Sequence, residues 1–411
     1  MHSRDLLWGC FLAHALLVLT AMPAAADLHL GPEELVTSSG VDIAVIGYSV
    51  PSFADLNGDG LKDLIVGEGG VSPGKVRIYT NTGTPGAPAF SGFAYAQSEG
   101  SDLSVPASGC LGAFPRAAYW DNDGLMDLII GLADGTVKAY LNVGTQEGPA
   151  FDAGSFVQVG ETGSKENIDV GYRATPTVLD WNNDGLKDLV VGALDGKIHV
   201  YPNCGCSLTL PEYIYEFHAQ ADGSDLVVPG LRSSPHVQDL DGDGKKDLLS
   251  GNTDGQLVFY SNVVSDQIPG FSGYSLVESD GVPIDLPGTP RSRPFVCDWT
   301  EDGLLDVLIG AGDGKVHLYQ GARCPGDANE DWKVDGGDYT IWADNYGTSG
   351  LPTWLDGGWA YGNFTDDDKV DGGDYTIWAD AYGTGVVSIP EPATLSLLAV
   401  AGVSLIRRRR R

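Results

Sequence analysis

The chain is 411 residues long with a formal net charge of −32, from 56 acidic against 24 basic side chains. So acidic a surface repels phosphate, which excludes nucleic acid and an anionic membrane surface as main partners and favours cations. With 57 Gly and 23 Pro beside 17 Tyr and 9 Trp, the composition speaks for short strands and tight turns, an all-β body, rather than for long helices.

Residues 1–26 carry Arg4, an apolar run from Leu6 to Leu19 and the small-residue ending AMPAAA, the layout of a secretory signal cut after Ala26. Export permits disulfides. Cleavage leaves Cys110, Cys204, Cys206, Cys297 and Cys324, an odd number with no CxxC spacing. The two cysteines of NCGCS stand too close in sequence for an easy bridge, so a free buried thiol is expected, at Cys297 on a strand.

From residue 27 to 323 one unit repeats five times. Acidic runs begin at Asp55, Tyr119, Asp180, Asp239 and Asp298, at spacings of 64, 61, 59 and 59 residues, and each is preceded four residues earlier by Pro51, Pro115, Pro176, Pro235 or Pro294. A period near 60 signals a repeat architecture. After each run come an apolar stretch ending at or near Gly (LIVG, LIIG, LVVG, LLSG, VLIG), an Asp-Gly turn in four copies, and an alternating strand (KVRIY, TVKAY, KIHVY, QLVFY, KVHLY). Alternation with period two and an Asp-Gly turn predict a hairpin. Asn81, Asn142, Asn203 and Asn262 follow the closing Tyr by two residues, and PAF, PAF, PEY and PGF then open a fourth strand. Four short antiparallel strands repeated radially describe a five-bladed β-propeller. The fifth unit lacks its closing strand, and LHLGPEELV at 28–36 has no unit of its own, so it is expected to complete blade five and latch the ring.

The acidic runs suit calcium. In DLNGDGLKD, oxygens at positions 1, 3, 5 and 9 (Asp55, Asn57, Asp59, Asp63) with the position-7 carbonyl can surround Ca²⁺, and Gly60 permits the bend. Position 12 is Val66, inside a strand, so the run is a strand-to-strand loop and not an EF-hand. The other copies offer Asp121, Asp123 and Asp127, where Tyr119 displaces the first acid and the site is expected to be weakest; Asp180, Asn182, Asp184 and Asp188; Asp239, Asp241, Asp243 and Asp247; and Asp298, Thr300, Asp302 and Asp306. The repeats resemble the FG-GAP or VCBS family, which includes the integrin head. That resemblance implies calcium-binding propeller blades in secreted and surface proteins, often seven where five are counted here.

Residues 324–386 hold a second acidic pair. DANEDWKVDGGD at 327–338 and NFTDDDKVDGGD at 363–374 are each followed by DYTIWADxYGT. Here position 12 is acidic, the ligand positions being Asp327, Asn329, Asp331, Asp335 and Asp338, then Asn363, Thr365, Asp367, Asp371 and Asp374, and YTIWADNYG can continue as a short helix with Ile341 and Trp342 on its apolar side. The pair resembles a type I dockerin, a small α-helical EF-hand pair, which implies a cohesin-like partner. It departs from that pattern at Trp332 and Asp368, where Gly is usual, and at Gly336-Gly337 and Gly372-Gly373, where the family carries hydroxyl residues; a calcium hairpin of structural role fits equally.

In the tail, 387–411, an apolar or small segment from Ala393 to Ile406 precedes five arginines. At 1.5 Å per residue the segment falls short of a roughly 30 Å hydrocarbon core. With Pro390-Glu391-Pro392 it resembles the PEP-CTERM sorting signal, implying an exosortase-type processing enzyme, transient inner-membrane association and delivery to the cell surface or matrix.

No catalytic residue emerges. GVSPG at 70–74 fits GxSxG but runs into a strand, so Ser72 reads as a turn residue. The seven histidines show no metal spacing, and His199 and His317, at equivalent places on third strands, are expected to face outward. Arg173, Arg232 and Arg291 stand three residues before the repeat's Pro, with Asp102, Asp169, Asp225 and Asp285 upstream; these read as blade-to-blade ion pairs or as a polar pocket for an anionic sugar. The expectation is a secreted, calcium-binding surface or matrix protein whose propeller binds an extracellular protein or polysaccharide, with a carbohydrate-active lyase or hydrolase as the alternative.

Overall fold

The computed structural model describes residues 28–70, 72–107, 111–279, 281–286, 291–329, 334–352, 358–365 and 367–383. The signal segment, the sorting-signal tail, Cys110, Asp331 and Trp332 lie outside the described residues. Five antiparallel blades surround an axis, with strands numbered outward. Blade one comprises Ser49–Ala54, Asp63–Glu68, Gly74–Tyr79 and Ala94–Tyr95. Blade two comprises Phe114–Ala118, Asp127–Gly131, Val137–Tyr140 and Ser155–Phe156. Blade three comprises Thr175–Leu179, Asp188–Gly192, Ile198–Tyr201 and Phe217–His218. Blade four comprises Ser234–Gln238, Asp247–Gly251, Leu257–Asn262 and Phe271–Leu276. Blade five has Arg293–Cys297, Asp306–Gly310 and Val316–Gly321 from its own unit. Its outer strand is Leu30–Leu35, antiparallel to the third, with Glu33 opposite Tyr319 and Leu35 opposite His317.

The N-terminal strand therefore closes the ring, as the unpartnered fifth unit required. A second closure lies nearer the axis. The glycine that ends each second strand faces the inner strand of the next blade so closely that an added Cβ would stand 2.1–2.5 Å from a backbone oxygen there: Gly67 to Ala113, Gly131 to Ala174, Gly192 to Ser233, Gly251 to Ser292 and Gly310 to Ser49. The last of these joins blade five to blade one. The repeated Gly is thus a demand of close approach and not of backbone conformation, whereas Gly135, Gly196, Gly255 and Gly314 of the Asp-Gly turns adopt φ of 78–96°, as the hairpin turn requires.

Core packing follows the same fivefold logic. Each apolar cluster spans two neighbouring blades, so no blade owns a core of its own. The repeated Asn fixes the link between third and outer strands: Asn142 Oδ1 accepts from Gly144 N at 3.1 Å and Ala150 N at 3.2 Å, and the same pairing recurs at Asn81, Asn203 and Asn262. Blade five has Gly321 at that place. Its outer strand arrives from elsewhere in the chain and needs no such link.

Two short helices follow the propeller, α1 (Gly336–Asn345) and α2 (Gly372–Ala381). They pack as a near-symmetric pair in which Trp342 Nε1 donates to Asp371 O and Trp378 Nε1 to Asp335 O, both at 3.0 Å. Cysteine pairing departs from expectation. Cys204 and Cys206 are joined, because Gly205 at φ 62° turns the chain back and sets their Cα atoms 5.2 Å apart. Cys297 is free, as expected, and half-buried on the inner strand of blade five.

Candidate metal centre

All five acidic runs sit at the turn from first to second strand, on one face of the ring. Their early acids shape the loop through its own amides. Asp180 accepts from Asp184 N at 3.1 Å and Gly185 N at 2.8 Å, Asn182 from Asp184 N at 3.1 Å, and Asp184 from Leu186 N at 2.8 Å. Asp55, Asn57 and Asp59 repeat this set, as do Asp298 and Asp302, while in the second loop only Asp121 and Asp123 do so, Tyr119 being exposed. In the fourth, oxygens of Asp239, Asp241 and Asp247 lie within 4.8 Å of one another, and Asp243 binds the Lys245 ammonium.

The position-9 aspartate has a second role that its place in a ligand list conceals. Asp63, Asp127, Asp188, Asp247 and Asp306 are 0–1% exposed. Asp188 Oδ2 accepts from Trp181 N at 2.8 Å and its Oδ1 from Asn203 N at 2.7 Å, so one carboxylate pins the second residue of the loop to the end of the third strand. Asp127, Asp247 and Asp306 do likewise, and Asp63 holds Asn81 N. The pinned loop residue is itself buried and plugs the interblade core. Trp299 packs 6.0 Å from Phe90, Trp120 6.3 Å from Tyr213 and Trp181 6.0 Å from Phe271, ring centre to ring centre; Leu56 and Leu240 fill the same place against Phe151 and Leu30.

Burial, followed by the neighbouring carboxylates, raises these acids: Asp63 and Asp188 to about 6, Asp247 to about 7, with Asp127 and Asp306 raised as well, against the backbone hydrogen bonds that lower them. Like charges gathered in a desolvated turn call for a hard cation with oxygen ligands. Asp239 Oδ1 and Thr300 Oγ1 fit that demand, being buried oxygens at loop ligand positions with no hydrogen-bond partner among the described atoms. Lysines link successive loops: Lys246 Nζ donates to Asp180 O at 2.5 Å and Lys62 Nζ to Asp298 O at 3.1 Å.

In the helical pair the acids divide differently. Asp335 and Asp371 are N-caps, and Asp338 and Asp374, wholly buried at the third helical position, complete capping boxes. Asp374 Oδ1 also accepts from Phe364 N at 2.7 Å and Thr365 N at 2.9 Å, and Asp338 Oδ1 from Ala328 N at 2.8 Å. Asn363 is buried and donates to Asp367 O and Pro352 O.

On the opposite face, the residue three before each repeat Pro is Tyr48, Gly112, Arg173, Arg232 or Arg291, and the three arginines have φ of 61°, 58° and 86°. The ion pairs expected there form otherwise: Asp102 binds Lys75 at 2.8 Å and Asp225 binds Lys197 at 3.0 Å, because those lysines lie at the start of the third strands beside them. Arg173, fully buried, donates to Arg232 O and Ser233 O of the next blade at 2.9 and 2.7 Å. No spacing or motif points to Arg116, which crosses the axis from blade two to Pro51 O and Pro294 O at 2.9 and 3.3 Å and lies over Phe295. Burial lowers its guanidinium to about 10, still charged at neutral pH, and burial followed by Arg116 lowers His236 to about 3. Arg173 and Arg293 lie over Phe114, and Arg291 over Tyr48.

His199 and His317, expected to face outward, are only 8% and 5% exposed, each drawn in by a carboxylate on or beside the outer strand, Glu216 at 2.7 Å and Glu33 at 2.6 Å.

The fold and its loops define a repeat propeller built on acidic turns between strands. Within this five-bladed propeller, residues 119–191 match the family described as FG-GAP-like repeat, a repeat type that often binds calcium. Over 153 residues the chain is 28% identical to integrin alpha-4 of Xenopus laevis, covering 34% of this chain and 14% of that protein. Among solved structures it is similar to a Coprinopsis cinerea GH62 α-L-arabinofuranosidase catalytic domain (13% identity, TM-score 0.42, 73% of this chain and 98% of that one). It is also similar to an Agrocybe aegerita lectin described as recognising non-reducing terminal N-acetylglucosamine (16%, TM-score 0.35, 67% and 66%), and to the Photorhabdus luminescens Tc holotoxin (14%, TM-score 0.35, 72% and 15%). Superpositions this loose carry no functional argument.

Proposed function

We propose that this is an exported protein of the cell surface or extracellular matrix whose calcium-braced propeller binds an extracellular protein or polysaccharide at its axial mouth without turning it over. The observation that carries the reading is the division of labour between the two faces. Acidic turns gather on one face, while the other gathers cations on aromatic rings around the axis, the chemistry that suits an anionic, ring-shaped ligand. Arg291 and Tyr48, half-buried, and Tyr172, 62% exposed, are the groups a polymer would meet first. Deeper arginines are engaged as ties between blades, which favours retention over chemistry. In this reading the helical pair is a calcium-dependent docking module of dockerin type with a cohesin-like partner, and an exosortase-type enzyme processes the tail after transient membrane association.

The same arginines support a second reading, a lyase that neutralises the carboxylate of an acidic sugar. A glycan array on the calcium-loaded chain, with unsaturated-product assays on every ligand retained, separates the two. Binding that Arg291→Ala weakens at least tenfold, with no product, is expected; product formation lost in the same variant establishes the lyase, and retention of neither glycan nor protein ligands overturns both.

A further inference from the structure

Blade three carries a constellation that no sequence spacing announces. Strand register sets His199 directly opposite His218, and Glu216, two residues before His218 in the chain, reaches both. His199 Nδ1 lies 2.7 Å and His218 Nε2 3.6 Å from the same Glu216 oxygen, and one ligand atom from each of the three falls within 4.8 Å of the others. Three donors around a tetrahedral ion with bonds near 2.1 Å stand roughly 3.4 Å apart. The imidazole rings meet edge to face at 4.8 Å. The outer shell is also in place: His218 turns its other nitrogen, Nδ1, to Asp225 at 2.7 Å, and Asp225 is held in turn by Lys197 at 3.0 Å and Gln220 at 2.8 Å. A carboxylate on the far nitrogen is what fixes the tautomer and orientation of a metal-bound histidine.

We propose that His199, Glu216 and His218 form a site for a divalent transition-metal ion of the zinc class, distinct from the oxygen-lined calcium loops. Two imidazoles and one carboxylate suit zinc and its neighbours and not calcium, which takes oxygen donors in larger number. His199 is buried, while the His218 and Glu216 side chains are 25% and 33% exposed, giving the ion a route from solvent and a fourth position for water. Blade five supplies an internal control. His317 and Glu33 reproduce the first pair at 2.6 Å, but Leu35 stands opposite His317, where blade three has His218. One blade holds three donors in place; its counterpart has an ordinary histidine–carboxylate pair, with Asp313 on the other nitrogen at 3.3 Å.

The test uses the full chain with calcium saturating the acidic loops. Zinc is titrated calorimetrically, and cobalt(II) is followed by its visible absorption, which distinguishes nitrogen and oxygen ligation from ligation by cysteine thiolate. The wild type is expected to take one zinc equivalent that His218→Leu, which copies blade five, does not take. Asp225→Asn should weaken that equivalent about 10- to 100-fold, and His317→Leu should leave it unchanged. Equal zinc uptake by wild type, His218→Leu and Asp225→Asn, or none by the wild type, overturns the proposal. If His218→Leu loses its calcium-loaded melting transition, Asp225→Asn, altered at an exposed carboxylate, decides the question alone.

Discussion

The acidic loops of the propeller and those of the helical pair begin alike in sequence, with oxygen-bearing side chains at alternating positions, yet one set leads into strands and the other into helices. The difference lies in which buried aspartate clamps the backbone amides. In the blades it is position 9, whose two oxygens tie the loop's second residue to the third strand, leaving the chain extended. In the helical pair it is position 12, which reaches back to the amides of positions 2 and 3 and of the N-cap, so that the chain turns helical at once. A loop motif fixes where a cation can sit. The buried acid fixes how the chain leaves.

The largest effect expected from breaking this comparison is at a blade clamp. Asp188→Ala strands two buried N–H groups, at Trp181 and Asn203, and should cost roughly 2–6 kcal/mol, about 1–3 for each, read by urea denaturation of the calcium-loaded protein. Asp188→Asn keeps one acceptor and removes the charge, so it should cost less, and least of all in chelator. Next comes Gly310→Ala, which forces a methyl against Ser49 O at the ring closure; about 1–3 kcal/mol is expected in the same denaturation experiment. Asp371→Ala, removing a helix cap, should cost about 0.5–2 kcal/mol in the melting of the helical pair and leave the propeller transition in place.

The pH response sharpens the same contrast. Asp63 and Asp188 at about 6 and Asp247 at about 7 stand above the ordinary value of 3.8, so between those limits these carboxyls hold more protons in the folded, metal-free chain than in the unfolded one. Their contribution to stability must therefore fall as pH rises from about 4 to about 7, offset in part by His236, which is lowered to about 3 and acts with the opposite sign. Calcium bound to the same carboxylates should abolish that fall, and melting curves at pH 5 and 7.5, in chelator and in calcium, would show it. Smallest of all, Tyr119→Asp should strengthen calcium binding in the second loop with little change in melting temperature.

Much of the ring was legible because its demands fall on residue types that have few substitutes. Only glycine permits the approach at Gly67 and its equivalents, only a short acid or amide pins a turn as Asn142 does, and the unit lacking a fourth strand pointed to 28–36. What escaped depends on register or on distant partners. Trp120, Trp181 and Trp299 read as ordinary aromatics within acidic runs until the neighbouring blade is set beside them. His199 and His317 seemed free to face solvent because their carboxylate partners come from elsewhere, Glu216 from just before the outer strand of its blade and Glu33 from a strand 284 residues away. Arg116 has its partners on two other blades, and Cys204 joins Cys206 only because Gly205 takes a left-handed turn. Strand alternation reports which face a residue occupies; it is silent on what waits there.

Calcium titration of the full chain against its melting temperature tests the central claim, that metal in the acidic turns holds the plugs between blades in place. Each occupied site should add about 2.7 kcal/mol at free calcium 100-fold above its dissociation constant, so the propeller transition should climb steeply with calcium and collapse in chelator, with as many as seven ions bound by calorimetry. A propeller that melts at one temperature with and without chelator, or that binds only one or two ions, would contradict the account.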